Sequence, residues 1–322
     1  MSGRGRILYV SHDSASPSGG VRVLYAHVGH LTERGFAAFI VHSKSGYRPS
    51  WFDAGVPTMS FEGDLQLDPD DIVVLPEDHR VALEAFARVP VRKIVFCQNH
   101  YYVFSGLGEH RSWAELGIER ALCCSTVIQG FLESVLGFPR VALVHNAIDL
   151  DRFRPRPKVF QIATMPRKAP FEASYVQGLF RSLYGDVPGW SWVVIDKVPE
   201  GRVAELMGAS SVFLSLSRYE GFGLPPLEAM ASGCVVAGFR GDGGREYTST
   251  ENGFWCDEGD LVGCTQALKR AVDSVAAGGE PLEQMHRASS QTAATYTPQR
   301  QGDELEAFFN DLGAKRPLRG GK

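Results

Sequence analysis

Glu220 and Glu228 stand eight positions apart in the stretch Tyr-Glu-Gly-Phe-Gly-Leu-Pro-Pro-Leu-Glu-Ala-Met-Ala-Ser-Gly that begins at Tyr219. An ionised carboxylate accepts two donors at once, which suits it to the hydroxyls of a sugar. Between the two acids, Gly221 and Gly223 flank Phe222 and lead into Leu224. Glycines there let the backbone approach a ligand that a side chain would hold off. Pro225 or Pro226 fits the first position of a helix, where a missing N–H does no harm. The N–H groups and the positive dipole end at such a helix start favour an anion, phosphate above all. A second candidate is the basic pair Arg167-Lys168, with arginine as a fork and lysine as a point charge for a diphosphate. The plainer readings are a solvated basic turn and a strand-loop-helix joint with solvated acids. Glycines, prolines and both acids coincide, which favours the binding reading.

These groups need rigid elements behind them. Val212–Ser217 is an apolar, alternating run and reads as the buried strand before Glu220. Val159–Ala163 is the strand before Arg167 and Lys168. Further strands are expected at Trp192–Ile195 and Cys234–Ala237, with an edge strand after Asn252-Gly253. Helices are expected at Phe171–Leu183, Arg202–Met207, 259–277, 281–294 and 299–312. After Cys234–Ala237 comes the loop Gly241-Asp-Gly243-Gly244-Arg245-Glu246.

The first half opens with Ile7–Val10, a fully apolar run typical of a buried parallel strand. Gly19 and Gly20 follow, and a helix is expected from Val21 to Glu33 because Val21, Leu24, Val28 and Leu31 recur at helical spacing. Ala37–Val41 is the next strand, so the chain begins as a doubly wound α/β fold. Strands at 72–75, 94–97, 121–124 and 141–144 alternate with helical stretches at 79–88 and 127–137, which predicts a parallel sheet. Gln98, Asn99 and His100 lie just past a strand's carboxyl end, where open α/β sheets place ligands. They are candidates for sugar hydroxyls; a structural role is the even alternative for His100. Trp51 and Phe52 read as an anchored loop.

The chain has 322 residues, enough for two domains of ordinary size. With 44% hydrophobic and 22% charged residues it reads as a folded soluble protein. A net charge of -4 argues against a nucleic-acid binder. Six cysteines without a Cys-x-x-Cys pair suit a reduced, cytoplasmic setting. No run is long and apolar enough for a membrane span. The nicotinamide fingerprint of glycines is absent. Asp68-Pro-Asp70 and Asp149-Leu-Asp151 read as turns, and Asp242 stands alone among glycines, so no metal is expected.

The segment from Glu220 to Gly233 resembles the E-x7-E signature of the family 4 (group 1) retaining glycosyltransferases. The passage Asn146-Ala-Ile-Asp149 through Phe153 and Pro155 is similar to another of that family's motifs, with Ala147 where glycine is usual. The resemblance implies a GT-B fold: two Rossmann-like α/β domains with parallel sheets facing a cleft. On that reading residues 1–155 form the acceptor-side domain, 156–312 the nucleotide-sugar domain and 313–322 a basic disordered tail. It implies transfer of a sugar from a nucleotide-sugar to an acceptor hydroxyl with retention, the acceptor being a glycan, glycolipid or small molecule. Glu228 would hold the donor's ribose and Glu220 its sugar, while Arg167 and Lys168 would face the leaving diphosphate. Gly221, Phe222, Gly223, Leu224, Gly243 and Gly244 would line the donor, as would Gly19 and Gly20. Gln98, Asn99 and His100 would lie on the acceptor side. No cofactor or metal is implied, no nucleic acid and no membrane span; a weak peripheral membrane contact through the tail is conceivable. The alternatives are an epimerase or phosphorylase on the same fold and a non-catalytic nucleotide-sugar-binding protein.

Overall fold

The computed structural model describes residues 5–52, 55–62, 65–314 and 316. They divide into two compact units, Met1–Asn146 with Pro298–Lys322, and Ala147–Thr297.

The first unit runs β1 (Ile7–Val10), α1 (Gly19–Glu33), β2 (Ala38–His42), β3 (Thr58–Ser60), β4 (Ile72–Pro76), α2 (Arg80–Phe86), β5 (Arg92–Cys97), α3 (Val103–Leu107), β6 (Arg120–Cys123), α4 (Thr126–Gly130) and β7 (Val141–Leu143). Its strands form one parallel sheet in the order β3-β2-β1-β4-β5-β6-β7. β1 and β4 are buried at every position, which is why their sequences run apolar instead of alternating. The order grows one way from β1 to β3 and the other way from β4 to β7. The crevice beyond the carboxyl ends of β1 and β4 is therefore the sheet's topological switch point, where such folds take ligands.

The helix expected from Val21 starts earlier. Ser18 caps it by accepting the N–H of Val21, so Gly19 and Gly20 belong to its first turn. β3 is a short edge strand that the sequence did not signal. The 43–52 loop is anchored: the Trp51 indole donates to the Ser14 carbonyl at 2.9 Å, and Phe52 packs edge-on against Tyr25.

The second unit runs β8 (Val159–Thr164), α5 (Pro170–Tyr184), β9 (Ser191–Val194), α6 (Glu200–Ala209), β10 (Ser210–Leu216), α7 (Leu224–Ala231), β11 (Val235–Phe239), β12 (Phe254–Cys256), α8 (Leu261–Ala277) and α9 (Glu280–Ala294). Its sheet is parallel as well, in the order β12-β11-β10-β8-β9, so its switch point lies between β8 and β10. Ile162, Leu214, Val235, Phe239, Phe180 and Leu268 meet in its core.

The last helix, α10 (Pro298–Asp311), packs on the first unit. Glu304 accepts the backbone N–H of His145 at 2.7 Å, Gln301 donates to the His145 carbonyl at 2.9 Å, and Arg34 pairs with Asp303 at 2.9 Å. Leu305 and Phe309 are fully buried there, with Phe309 near the rings of Tyr9 and Phe36. The expected division at 155/156 thus meets a different partition, with breaks after Asn146 and after Thr297. α10's apolar face finds its cover on residues far away in sequence, such as Tyr9 and Phe36 against Phe309. Linker composition carries no trace of that return. Of the expected tail, Arg316 pairs with Glu306 and lies over the Phe36 ring; residues 315 and 317–322 lie outside the described residues. No helix among the described residues is long and apolar enough to cross a membrane.

Candidate functional site

In the second unit, β8 ends at Thr164 and a single turn of 3-10 helix, Pro166–Lys168, follows it. β10 ends at Leu216 and leads into the loop Ser217–Gly223. The two strands are neighbours, so both loops open on the switch point. Lys168 Nζ meets Glu220 Oε1 there at 2.9 Å. Both side chains keep contact with solvent, 49% and 23% exposed, so the pair holds the loops lightly and leaves both charges available to a ligand. Arg167 is exposed on the same turn.

The Glu220 loop is bounded by two left-handed residues. Tyr219 has φ 52° and Gly223 φ 84°. Gly223 caps α7, whose first residue is Leu224 and not a proline. Pro225 and Pro226 fall second and third, so only Leu224 and Leu227 supply N–H groups in the first turn. The dipole remains, but the donor set is half that of an ordinary helix start. Glu228 consequently opens the second turn, and it is buried at 4% exposure.

Gly243 explains itself by packing. A Cβ there would meet the Gly221 carbonyl oxygen at 2.2 Å, and the Gly243 N–H donates to the Glu220 carbonyl at 3.0 Å. The two glycine loops are therefore stitched backbone to backbone. The buried Tyr247 hydroxyl donates to the Gly223 carbonyl, and Phe222, Tyr247 and Tyr296 form one aromatic cluster beneath. Burial pushes the Tyr247 phenol well above its ordinary range, so it stays a donor. Gly244 stands over the same tyrosine.

Arg218 is a cation that motif reasoning passed over. Its guanidinium donates to Glu172 of α5 at 2.5 Å and lies 5.1 Å from the centre of the exposed Tyr219 ring. The hydrogen bond to Glu172 raises its pKa. Its position beside Glu220 was visible in the sequence; its partner on α5 was not.

In the first unit, Gly19 and Gly20 form the start of α1, and the Gln98 side-chain amide donates to the Gly20 carbonyl at 3.2 Å. The fold thus brings Gly19, Gly20 and Gln98 together. Asn99 and His100 are buried, at 6% and 8% exposure. Asn99 uses its side chain to cap the turn at Tyr101, and His100 packs against Tyr101 and Phe131.

Sequence reasoning missed the loops after β1 and β4. His12 Nε2 and Asp78 Oδ1 meet at 2.8 Å, and the rings of His12 and His79 stack 4.3 Å apart at 10°. Beside them Glu77, 3% exposed, accepts the Asn99 N–H at 2.7 Å. Burial, reinforced by Asp78, pushes the Glu77 carboxyl up to about 8. Asp13 is taken up by His42 and the backbone of 43–44. Asp68 and Asp149 each bond backbone N–H groups of their own turns. Among the described residues no group of three His, Cys, Asp or Glu is placed to hold a metal ion.

The family model "Glycosyl transferases group 1" matches residues 192–292, a span that includes Glu220, Glu228 and Gly243. The α-1,6-glucosyltransferase of Actinobacillus pleuropneumoniae serotype 7 (strain AP76) is 29% identical over 236 residues, 69% of this chain and 70% of that protein. Among solved structures, a glycosyltransferase from Rickettsia africae ESF-5 is similar with a TM-score of 0.74 at 13% identity, over 99% of this chain and all of the other. HepE from Anabaena in complex with UDP is similar with a TM-score of 0.69 at 14% identity, over 95% of this chain and all of the other. A further structure of HepE contains UDP-glucose. The α/β architecture with two parallel sheets is that of GT-B glycosyltransferases.

Proposed function

We propose that this glycosyltransferase, whose second unit carries a glycosyl transferases group 1 domain, moves a sugar from a nucleotide-sugar to an acceptor hydroxyl with retention of configuration. The observation that carries this is the meeting of Lys168 and Glu220 at 2.9 Å beside the start of α7. A permanent cation, a helix dipole and a carboxylate then converge on the crevice between β8 and β10. Lys168, with Arg167 on the same turn, faces the diphosphate as charge develops on it. Glu220 faces the sugar, where positive charge builds as the glycosidic bond breaks. Glu228, held by the helix, serves the ribose. Gly221 and Gly223 leave room for the donor's phosphates.

UDP-glucose is the first donor to try. The α-1,6-glucosyltransferase relative and the UDP-glucose complex of HepE support that choice. The acceptor is a glycan or small molecule bearing a free hydroxyl. The diphosphate charge is met by side chains and a helix end, so the reaction runs without a metal ion, in the cytoplasm.

The test is nucleotide release from UDP-, ADP- and GDP-linked sugars, with and without acceptor extract, in the presence and absence of EDTA. Acceptor-stimulated release that survives EDTA is expected, with the anomeric configuration of the product retained by NMR. Release that needs added phosphate would indicate a phosphorylase. Conversion of the donor without release would indicate an epimerase. Activity restored only by manganese would defeat the metal-independent reading.

A further inference from the structure

Inside the second unit two ion pairs reach the loop that holds Glu220. Lys168 meets Glu220 itself at 2.9 Å, and Arg218 meets Glu172 of α5 at 2.5 Å. The first pair is the open one, with its lysine 49% and its glutamate 23% exposed; in the second the arginine is 31% and the glutamate 15% exposed. Water screens the first pair more, so the second is the firmer tie. Glu172 lies in the first turn of α5, soon after Lys168. Both ties therefore join the same two segments, the one after β8 and the one after β10.

The two ties answer differently to a donor. A diphosphate entering the crevice attracts Lys168 Nζ and repels the Glu220 carboxylate, so the first tie loosens at the moment Glu220 is needed beside the sugar. Arg218 is held from two sides. Nη1 donates to Glu172, and Nη2 donates to the Tyr219 hydroxyl at 3.2 Å, with the guanidinium carbon 5.1 Å from the centre of that ring. Tyr219 stands in the left-handed region at φ 52°, which a bulky residue adopts only where its surroundings hold it there. That backbone turn sets the direction in which the chain enters Glu220. Downstream, the Gly243 N–H fixes the Glu220 carbonyl at 3.0 Å. Upstream, Arg218 grips the turn through the Tyr219 ring and hydroxyl.

We propose that Arg218, anchored to Glu172, is a positioning residue that keeps Glu220 aimed at the sugar after the diphosphate has drawn Lys168 away. This rests on the glycosyl-transfer reading above. In the nucleotide-free protein both ties hold the loop. With nucleotide bound, the hold on its upstream end passes to Arg218. Neither Arg218 nor Glu172 touches the donor in this role, so nucleotide affinity does not depend on them.

The test joins three measurements on wild type, Glu172→Gln, Arg218→Gln and Arg218→Lys, with whichever of UDP, ADP and GDP binds the wild-type protein. Calorimetry should find nucleotide affinity within about twofold of wild type in every variant. With the matching glucose nucleotide as donor, Glu172→Gln and Arg218→Gln should lose about 10-fold in kcat and largely keep the donor KM. Arg218→Lys retains a charge over the Tyr219 ring and should recover part of that loss. Amide hydrogen exchange separates a brace from a general loss of structure. Without nucleotide, residues 217–223 of Glu172→Gln should exchange at close to wild-type rates, because Lys168 still holds Glu220. With nucleotide they should exchange about 10-fold faster in the variant than in wild type. Unchanged kcat, equal exchange with nucleotide bound, fast exchange already without it, or a nucleotide affinity lost along with the pair each overturns the brace. Wild-type protein that binds no nucleoside diphosphate and releases none from any nucleotide-sugar would instead defeat the functional reading, and the brace with it.

Discussion

The crevice between β8 and β10 holds Lys168 against Glu220, and the crevice between β1 and β4 holds His12 against Asp78. Each pair joins a cation and a carboxylate from the loops after two adjacent parallel strands, at 2.9 and 2.8 Å and with solvent access. The topology is the same; the cation is not. A lysine keeps its charge throughout the physiological range, so it suits a leaving group that stays anionic. A histidine changes charge within that range. The second unit surrounds its pair with glycines and a helix start. The first sets the His79 ring flat against His12 and the buried Glu77 beside Asp78.

The comparison breaks first at Glu220. Glu220→Ala should lower kcat on the order of 100-fold with a smaller rise in KM, because its contribution grows as the sugar gains positive charge. Glu220→Gln should be nearly as damaging if charge, and not shape, is what matters. Glu228→Ala should show the reverse pattern, a raised KM with kcat largely kept, since the ribose is unchanged by the reaction. Steady-state kinetics on the three variants decide it, and equal losses of kcat at both glutamates would undo the division of roles.

Next comes the lysine. Losing a charge-assisted hydrogen bond costs about 1.5–3 kcal/mol, so Lys168→Ala should weaken UDP binding by roughly 10- to 100-fold. Calorimetry on Lys168→Ala beside Asp78→Asn sharpens the contrast between the two crevices. Only the first should lose nucleotide.

The smallest effect concerns Glu77, at the first unit's crevice. Burial raises its carboxyl from an ordinary 4.5 to about 8, so in that range the folded protein holds a proton the unfolded chain has lost. Stability from this group must then fall as pH rises from 4.5 to about 8. His27, buried and lowered to about 3, acts in the opposite sense but only below its ordinary 6.5. Between pH 6.5 and 8 Glu77 and His12, whose pKa the hydrogen bond to Asp78 raises, both lower stability as pH rises, and substituting Glu77 alone separates them. Thermal melts of Glu77→Gln should show a flatter slope there than wild type; parallel slopes would mean that Glu77 titrates normally.

Much of the fold was legible in the chain itself. Unbroken apolar runs such as Ile7–Val10 and Ile72–Leu75 can only be strands covered on both faces, and helical spacing between them leaves little choice but two parallel sheets. The glycines, prolines and acids of 219–233 likewise marked a strand-loop-helix joint, because each residue type there answers a local backbone need. Strand order was a different matter. Periodicity states that β8 and β10 exist, but not that they are neighbours, and neighbourhood is what brings Lys168 to Glu220 across 52 positions. His12 and Asp78, 66 positions apart, were two ordinary polar residues until the order β1-β4 set their loops side by side. The return of α10 to the first unit depended on which surface could cover Leu305 and Phe309. Local rules act over a few residues and can be read along the chain. Pairings across a sheet and the cover of an apolar face are settled by the packing of the whole unit, and only the tertiary structure reports them.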